Sequence, residues 1–174
     1  MKKLFHQHKK LLFSSLTGCV FVSALGSLMH FVYHWSGNYF LVGLIAPVNE
    51  STWEHMKLLF FPLLLYNALE CLFLKKTYAK LLKADAVGLL SGTLLIPVIF
   101  YTYTGILGFH TLLLDILTFL ASVLLSFYIR LKILLSCHFK RQTITLLIFV
   151  LALGACFLIF TYYPPGIGLF RIPS

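Results

Sequence analysis

Five long apolar runs dominate this chain and restrict its fold more than any other feature of the sequence. A run of about 20 apolar residues is long enough to cross the hydrocarbon core of a bilayer as a helix. Of the 174 residues, 60% are hydrophobic and 11% are charged, whereas a soluble domain has about 25% charged residues. Too few polar side chains are present to cover a globule of this size. We therefore predict an all-α fold, a polytopic transmembrane helix bundle with about five spans.

The length of 174 residues predicts one membrane domain, over residues 1–174. The predicted helices cover residues 11–35, 51–74, 86–103, 110–131 and 143–163. Gly88 and Gly92 form a small-xxx-small pair in the third helix, which favours close helix packing. Residues 36–50 are apolar but interrupted by glycine and proline, so we expect a re-entrant or interfacial connector there.

The basic residues lie on one side of this arrangement. Twelve of the fourteen precede the first helix, separate the second from the third, or separate the fourth from the fifth. An excess of Lys and Arg marks the cytoplasmic side, so we predict a cytoplasmic N-terminus and a C-terminus outside. The net charge of +9 then reflects topology and suits anionic lipids, not nucleic acid. The predicted location is the cell (plasma) membrane, with membrane lipids as partners.

This topology gathers ionisable residues at the outer ends of the helices, where they usually mark a function. The outer histidines are His30, His34, His55 and His110. His30 and His34 are four residues apart, so both can face one side of the first helix. Imidazole and carboxylate groups are common zinc ligands, and we take these four histidines as candidate zinc ligands. The alternative is that they settle at the membrane interface with their polar ends in water.

Three acids are the candidate catalytic residues: Glu54, Asp115 and Glu50. Glu54 or Asp115 would act as general base towards a metal-activated water. Glu54 has a structural alternative, because it has the spacing of a capping box with Ser51. For Asp115 the alternative is a structural interhelical hydrogen bond, and we expect it to point into the bundle and meet His110, His55, His30 or Lys57. Lys57 opposes the dipole of the second helix and should pair with a nearby acid, which is Glu50, Glu54 or Asp115.

The segment Pro-Val-Asn-Glu-Ser-Thr-Trp-Glu-His-Met-Lys, from Pro47 to Lys57, carries a resemblance. It resembles a motif of an uncharacterised family of small bacterial multi-pass membrane proteins, in which the positions of Thr52 and Met56 vary. The similarity extends to residues 29–33, 114–116 and 160–165, so it touches most of the chain. The resemblance implies a shared membrane fold, but it does not imply a particular reaction.

Three functions are open at this point. The first is an enzyme, a metal-dependent hydrolase or transferase that acts on a lipid or lipid-linked substrate at the outer leaflet. The second is a small transporter or channel for a cation, a proton or a small solute, with a polar path from Asp115 towards Glu70 and Asn67. Five spans leave little wall for a pore, so this alternative implies a homo-oligomer. The third is a non-catalytic membrane binding or assembly protein, whose polar cluster only holds the helices together.

Overall fold

The computed structural model describes residues 2–74, 79–136 and 143–173, with side chains for 9–72, 80–136 and 143–173. Within these ranges all regular structure is helical, which confirms the predicted all-α fold. The helices are α1 (Lys2–Trp35), α2 (Phe40–Gly43), α3 (Thr52–Leu74), α4 (Ala79–Leu107), α5 (Leu112–Leu135) and α6 (Thr143–Phe160). A 3-10 turn at Gly168–Phe170 follows α6.

Four of these helices are long and apolar enough to cross a membrane: α1 from Lys9 onwards, α4 from Lys80 onwards, α5 and α6. The chain is therefore compatible with a membrane protein. The described part of α3 does not reach the same apolar content, because it carries several ionisable side chains. Its neighbours explain this composition. α3 packs against α1, α4, α5 and the 3-10 turn, and a helix enclosed by protein needs little lipid-facing apolar surface.

The ends of several helices differ from the prediction. α4 begins at Ala79 and not at residue 86, so part of the predicted connector between the second and third helices is helical, while residues 75–78 lie outside the described residues. The reason is that Leu, Lys and Ala favour helix in this segment, and Nζ of Lys80 donates to the carbonyl oxygen of Ser136 at the end of α5. α5 extends to Leu135, and α6 ends at Phe160, three residues short of the predicted bound.

The contact between α4 and α5 is the most extensive helix pair in the described structure. A Cβ on Gly88 would lie 2.7 Å from the carbonyl oxygen of Ser126, and one on Gly92 would lie 2.8 Å from that of Ser122. Backbone atoms cannot move aside cheaply, so only glycine permits this approach. The predicted role of the small-xxx-small pair is confirmed.

Aromatic side chains packed against one another at tilted angles attach α6 and the C-terminal turn to α3. The ring of Trp53 lies 4.5 Å from that of Phe157 and 4.8 Å from that of Phe170, measured between centroids. The ring of Phe60 lies 5.0 Å from that of Phe157. This packing brings the residues that follow α6 against the first turns of α3, where the ionisable residues lie.

Candidate functional site

Side chains from three separate segments meet where α1 ends and α3 begins. His30 lies near the end of α1, Glu50 in the connector and His55 in the first turns of α3. Nε2 of His30 is 3.6 Å from Oε1 of Glu50, and Nε2 of His55 is 3.3 Å from Oε2 of Glu50. One ligand atom from each residue lies within 4.8 Å of the other two, the one such group of three among the described residues. We call these three residues the histidine site.

The hydrogen bond made by Nδ1 of His55 determines the protonation of Nε2, the nitrogen that faces Glu50. Nδ1 lies 3.0 Å from the carbonyl oxygen of Ser51, and a carbonyl can only accept, so Nδ1 carries the hydrogen. Neutral His55 then directs the lone pair of Nε2 at a carboxylate that has no donor. Two acceptors in contact require a cation between them, which is either a proton on Nε2 or a metal ion. Metal-ligating histidines are typically fixed by such a hydrogen bond at the other nitrogen.

The histidine site is open on one side. The side chain of Glu50 is 61% exposed, while those of His30 and His55 are each 31% exposed. When Nε2 of His55 is protonated, its hydrogen bond lowers the pKa of Glu50 below the ordinary value. Positive charge on His30 and His34 lowers this pKa further, and partial burial opposes the shift. Glu50 is therefore an ionised carboxylate at neutral pH, available to bind a cation.

Glu54 and Lys57 form a buried ion pair on α3. Nζ of Lys57 is 2.7 Å from Oε2 of Glu54, with the two side chains 0% and 2% exposed. Lys57 also donates to the carbonyl oxygen of Gly43 at 3.0 Å and to the hydroxyl of Thr161. Glu54 accepts a 3.0 Å hydrogen bond from the backbone N–H of Val48. The pair thus joins α3 to the connector and to the end of α6, and the predicted pairing of Lys57 is confirmed.

Only half of the predicted capping box is present. The N–H of Glu54 donates to Oγ of Ser51 at 3.4 Å, as predicted. The N–H of Ser51 donates instead to Oδ1 of Asn49 at 2.9 Å. The reason is that Lys57 offers the Glu54 carboxylate a full positive charge, a stronger partner than a neutral amide. The same carboxylate of Glu54 accepts the hydrogen bond from the N–H of Val48 and so holds the loop that leads into the histidine site.

Asp115 lies in a second polar group at the start of α5. Its Oδ2 is 3.1 Å from Nδ1 of His110, and its Oδ1 accepts a hydrogen bond from Tyr103 on α4. The expected contact of Asp115 with His110 is confirmed. The charge of Asp115 also acts on the imidazole of His55, but Asp115 and His110 are not members of the histidine site.

The four predicted zinc ligands therefore do not converge as one group. His30 and His55 are brought together, whereas His110 pairs with Asp115. His34 lies one turn beyond His30, with its ring 5.9 Å from that of Tyr33. The third donor of the group is instead Glu50, which the sequence indicated as a catalytic acid.

A family model matches residues 1–173. The chain belongs to the family of unknown function DUF6512. This confirms the resemblance to an uncharacterised family, and the match includes every residue of the histidine site. No curated protein and no solved structure matches the chain. For this member of DUF6512, function must therefore be argued from the geometry.

Sequence reasoning missed a buried charge cluster of this DUF6512 protein. It lies at the end of the helix bundle opposite the histidine site, and we call it the arginine cluster: Arg130, Glu70 and Asp85. Nε of Arg130 is 2.6 Å from Oδ1 of Asp85, and its Nη2 donates to Glu70. The sequence places Arg130 among the basic residues that indicate topology, and the structure shows it buried, with 1% of its surface exposed. The sequence of α5 did contain a signal that Arg130 is buried. Polar residues recur on one face of α5 and lead to Arg130, and they are buried: Thr118, Ser122 and Ser126.

Proposed function

We propose that this protein spans the membrane five times and binds a divalent metal ion, most simply zinc, at the histidine site on the outer face. The observation that carries this proposal is the approach of His30, Glu50 and His55. Ligand atoms about 2.0–2.1 Å from a tetrahedral zinc ion lie about 3.3–3.4 Å apart. The separations of 3.3 and 3.6 Å between imidazole nitrogens and carboxylate oxygens fit that spacing.

Three protein ligands with one open side favour catalysis over a purely structural role. Structural zinc sites are usually closed by four protein ligands, whereas catalytic sites leave one position for water or substrate. A bound metal would acidify that water and polarise a carbonyl or phosphoryl oxygen. In this proposal Glu50 is a ligand, Asp115 is the candidate general base, and the buried Glu54 is a positioning residue.

The surroundings of the histidine site favour a lipid or lipid-linked substrate. Large aromatic side chains are exposed at this end of the bundle: Phe31, Trp35, Tyr39 and Phe40. Amphipathic and aromatic side chains of this kind settle at the level of lipid headgroups. We therefore propose a metal-dependent hydrolase or transferase whose substrate lies in the outer leaflet.

The α4–α5 contact favours this function over a transporter. A path from Asp115 to Glu70 would follow the buried polar face of α5. There the hydroxyls of Ser122 and Ser126 donate to carbonyls of their own helix at 2.8 and 3.0 Å, and glycines of α4 pack directly against that backbone. The polar face is thus occupied by helix packing and leaves little room for a hydrated ion.

Metal content of the purified full chain tests the proposal. We expect about one zinc ion per chain in the wild type, and at least a tenfold loss in Glu50→Gln and in the double variant His30→Ala, His55→Ala. His110→Gln is the matched control, since it removes an outer imidazole that is not in the histidine site. Wild-type protein that is folded and takes up no zinc on titration would contradict the metal site.

A turnover assay distinguishes an enzyme from a metal-binding protein without catalytic activity. Zinc-loaded wild type is incubated in mixed micelles with lipid esters and lipid phosphates, and product release is compared with that of Asp115→Asn. We expect zinc-dependent release that falls at least tenfold in Asp115→Asn with zinc content unchanged. Metal binding without turnover of any of these substrates would refute the enzymatic part and leave a metal-binding membrane protein.

A further inference from the structure

A cavity of about 310 Å³ lies between α3, α4 and α6, beside the arginine cluster. Its volume is at the lower end of the range typical of small-molecule sites, about 300–1,000 Å³. Most of the lining is apolar, with side chains such as Leu64, Leu89 and Val150. Two polar side chains interrupt it, Asn67 from α3 and Asp85 from α4. The cavity thus combines a long apolar wall with a small polar patch.

Both polar side chains carry an oxygen atom without a partner. Asn67 is 7% exposed and Asp85 is 6% exposed. Oδ1 of Asn67 and Oδ2 of Asp85 have no hydrogen-bond partner among the described residues. Leaving a buried acceptor unpaired costs about 1–3 kcal/mol, and more for a charged group. Two such acceptors lining one cavity indicate a ligand that brings hydrogen-bond donors.

The charges of the arginine cluster indicate that this ligand is cationic. One guanidinium, that of Arg130, bonds to two carboxylates, those of Glu70 and Asp85. The other bonds of Glu70 and its neighbours are to neutral hydroxyls, such as that of Ser14. Among the residues that the structure describes, one negative charge therefore has no counter-charge within these bonds, and burying it is costly. The unpaired Oδ2 of Asp85 is the oxygen at which an N–H donor with a positive charge would balance it.

We infer that this cavity binds a membrane lipid with a primary ammonium headgroup, of the phosphatidylethanolamine type. Its ammonium donates to Oδ2 of Asp85 and Oδ1 of Asn67, and part of an acyl chain lies along the apolar wall. Asp85 is six residues beyond Ala79, where α4 begins, so it lies about 9 Å along the helix. At this distance from the start of α4, Asp85 can contact a lipid headgroup at the end of the bundle where basic residues cluster.

The chemistry of the cavity excludes the nearest alternatives. A choline headgroup has the same charge but no N–H, so it would leave both oxygens unpaired. A glycerol headgroup donates hydrogen bonds but supplies no positive charge. A free polar amine would gain little from the apolar wall formed by residues such as Leu64 and Leu89.

Native mass spectrometry of the purified full chain in detergent tests this inference. Phosphatidylethanolamine, phosphatidylcholine and phosphatidylglycerol with identical acyl chains are added at equal concentration. We expect the ethanolamine lipid to be retained about tenfold more than the choline lipid. Glycerophosphoethanolamine, which has the headgroup without chains, should not displace it. Equal retention of the ethanolamine and choline lipids, or displacement by the chain-free headgroup, would overturn the inference.

Three variants locate the binding. Asp85→Asn leaves one carboxylate for the one guanidinium and should abolish the preference for the ethanolamine lipid. Asn67→Leu leaves all ion pairs of the cluster in place and should also reduce the preference severalfold. Thr52→Val is the matched control: it removes another buried, unpaired oxygen of α3 that does not line the cavity. If both Asn67→Leu and Asp85→Asn still prefer the ethanolamine lipid over the choline lipid, the site is refuted. If Asp85→Asn does not fold, the result for Asn67→Leu alone decides.

Discussion

At the scale of single residues, Lys57 shows why a charged side chain is retained inside the bundle. It is fully buried, and its ammonium bonds to a carboxylate, a carbonyl and a hydroxyl from three different segments. Removing one member of a buried pair leaves the other as an uncompensated charge, which costs about 3–5 kcal/mol. Lys57 is thus a structural tie between α3, the connector and the end of α6.

We predict that Lys57→Met lowers the free energy of unfolding by about 3–5 kcal/mol, measured by denaturant unfolding in detergent. The double variant Lys57→Met, Glu54→Gln should lose less, because it removes both charges. Lys132→Met is the control, since Lys132 is an exposed lysine. A Lys57→Met protein as stable as the Lys132→Met protein would show that the buried pair contributes little.

The sequence predicted part of the histidine site and missed the rest for a physical reason. The predicted topology placed His30 and His55 at the same end of the bundle, and they do meet. Glu50 lies in an irregular connector, whose course depends on the bond between Val48 and Glu54. No periodicity encodes such a loop, so its role as a metal-ligand candidate became visible only in three dimensions. His110 is at a helix end too, but there it faces Asp115.

At the scale of helices, the α4–α5 contact was predictable because its signal is local. Two glycines four residues apart predict a close approach wherever they lie in a transmembrane helix. The burial of Arg130 was not predictable in the same way, since a basic residue near a helix end is most often exposed. Its partners lie 45 and 60 residues away along the chain, and such pairings are not visible in local composition.

We predict that Gly92→Ala destabilises the bundle by about 1–3 kcal/mol, the typical cost of overpacking. The added Cβ would meet the carbonyl oxygen of Ser122 at 2.8 Å and would overlap the hydroxyl of Ser126. Gly105→Ala is the matched control, because it lies in the same helix with nothing within 4 Å of the added atom. Thermal unfolding in detergent compares the two. Equal melting temperatures would contradict a tight glycine contact.

At the scale of the whole molecule, the path of α3 decides the topology. Four helices meet the length and composition expected of a span, and four crossings would return the C-terminus to the side of the N-terminus. α3 has 23 residues, which corresponds to about 34 Å and is enough to cross the hydrocarbon core. If α3 did not cross, the basic start of α4 would lie outside, against the positive-inside rule. We therefore expect five crossings.

Reporter fusions test this expectation at three positions. We predict that alkaline phosphatase is active, and green fluorescent protein dark, when fused after Gly108 or at the C-terminus. A fusion after Ser136 should give the opposite result. If α3 stays on one side, all three positions invert, because each follows α3 in the chain. That outcome would place His110 and Asp115 on the cytoplasmic face, opposite the histidine site, and it would remove Asp115 as the general base of the proposed function.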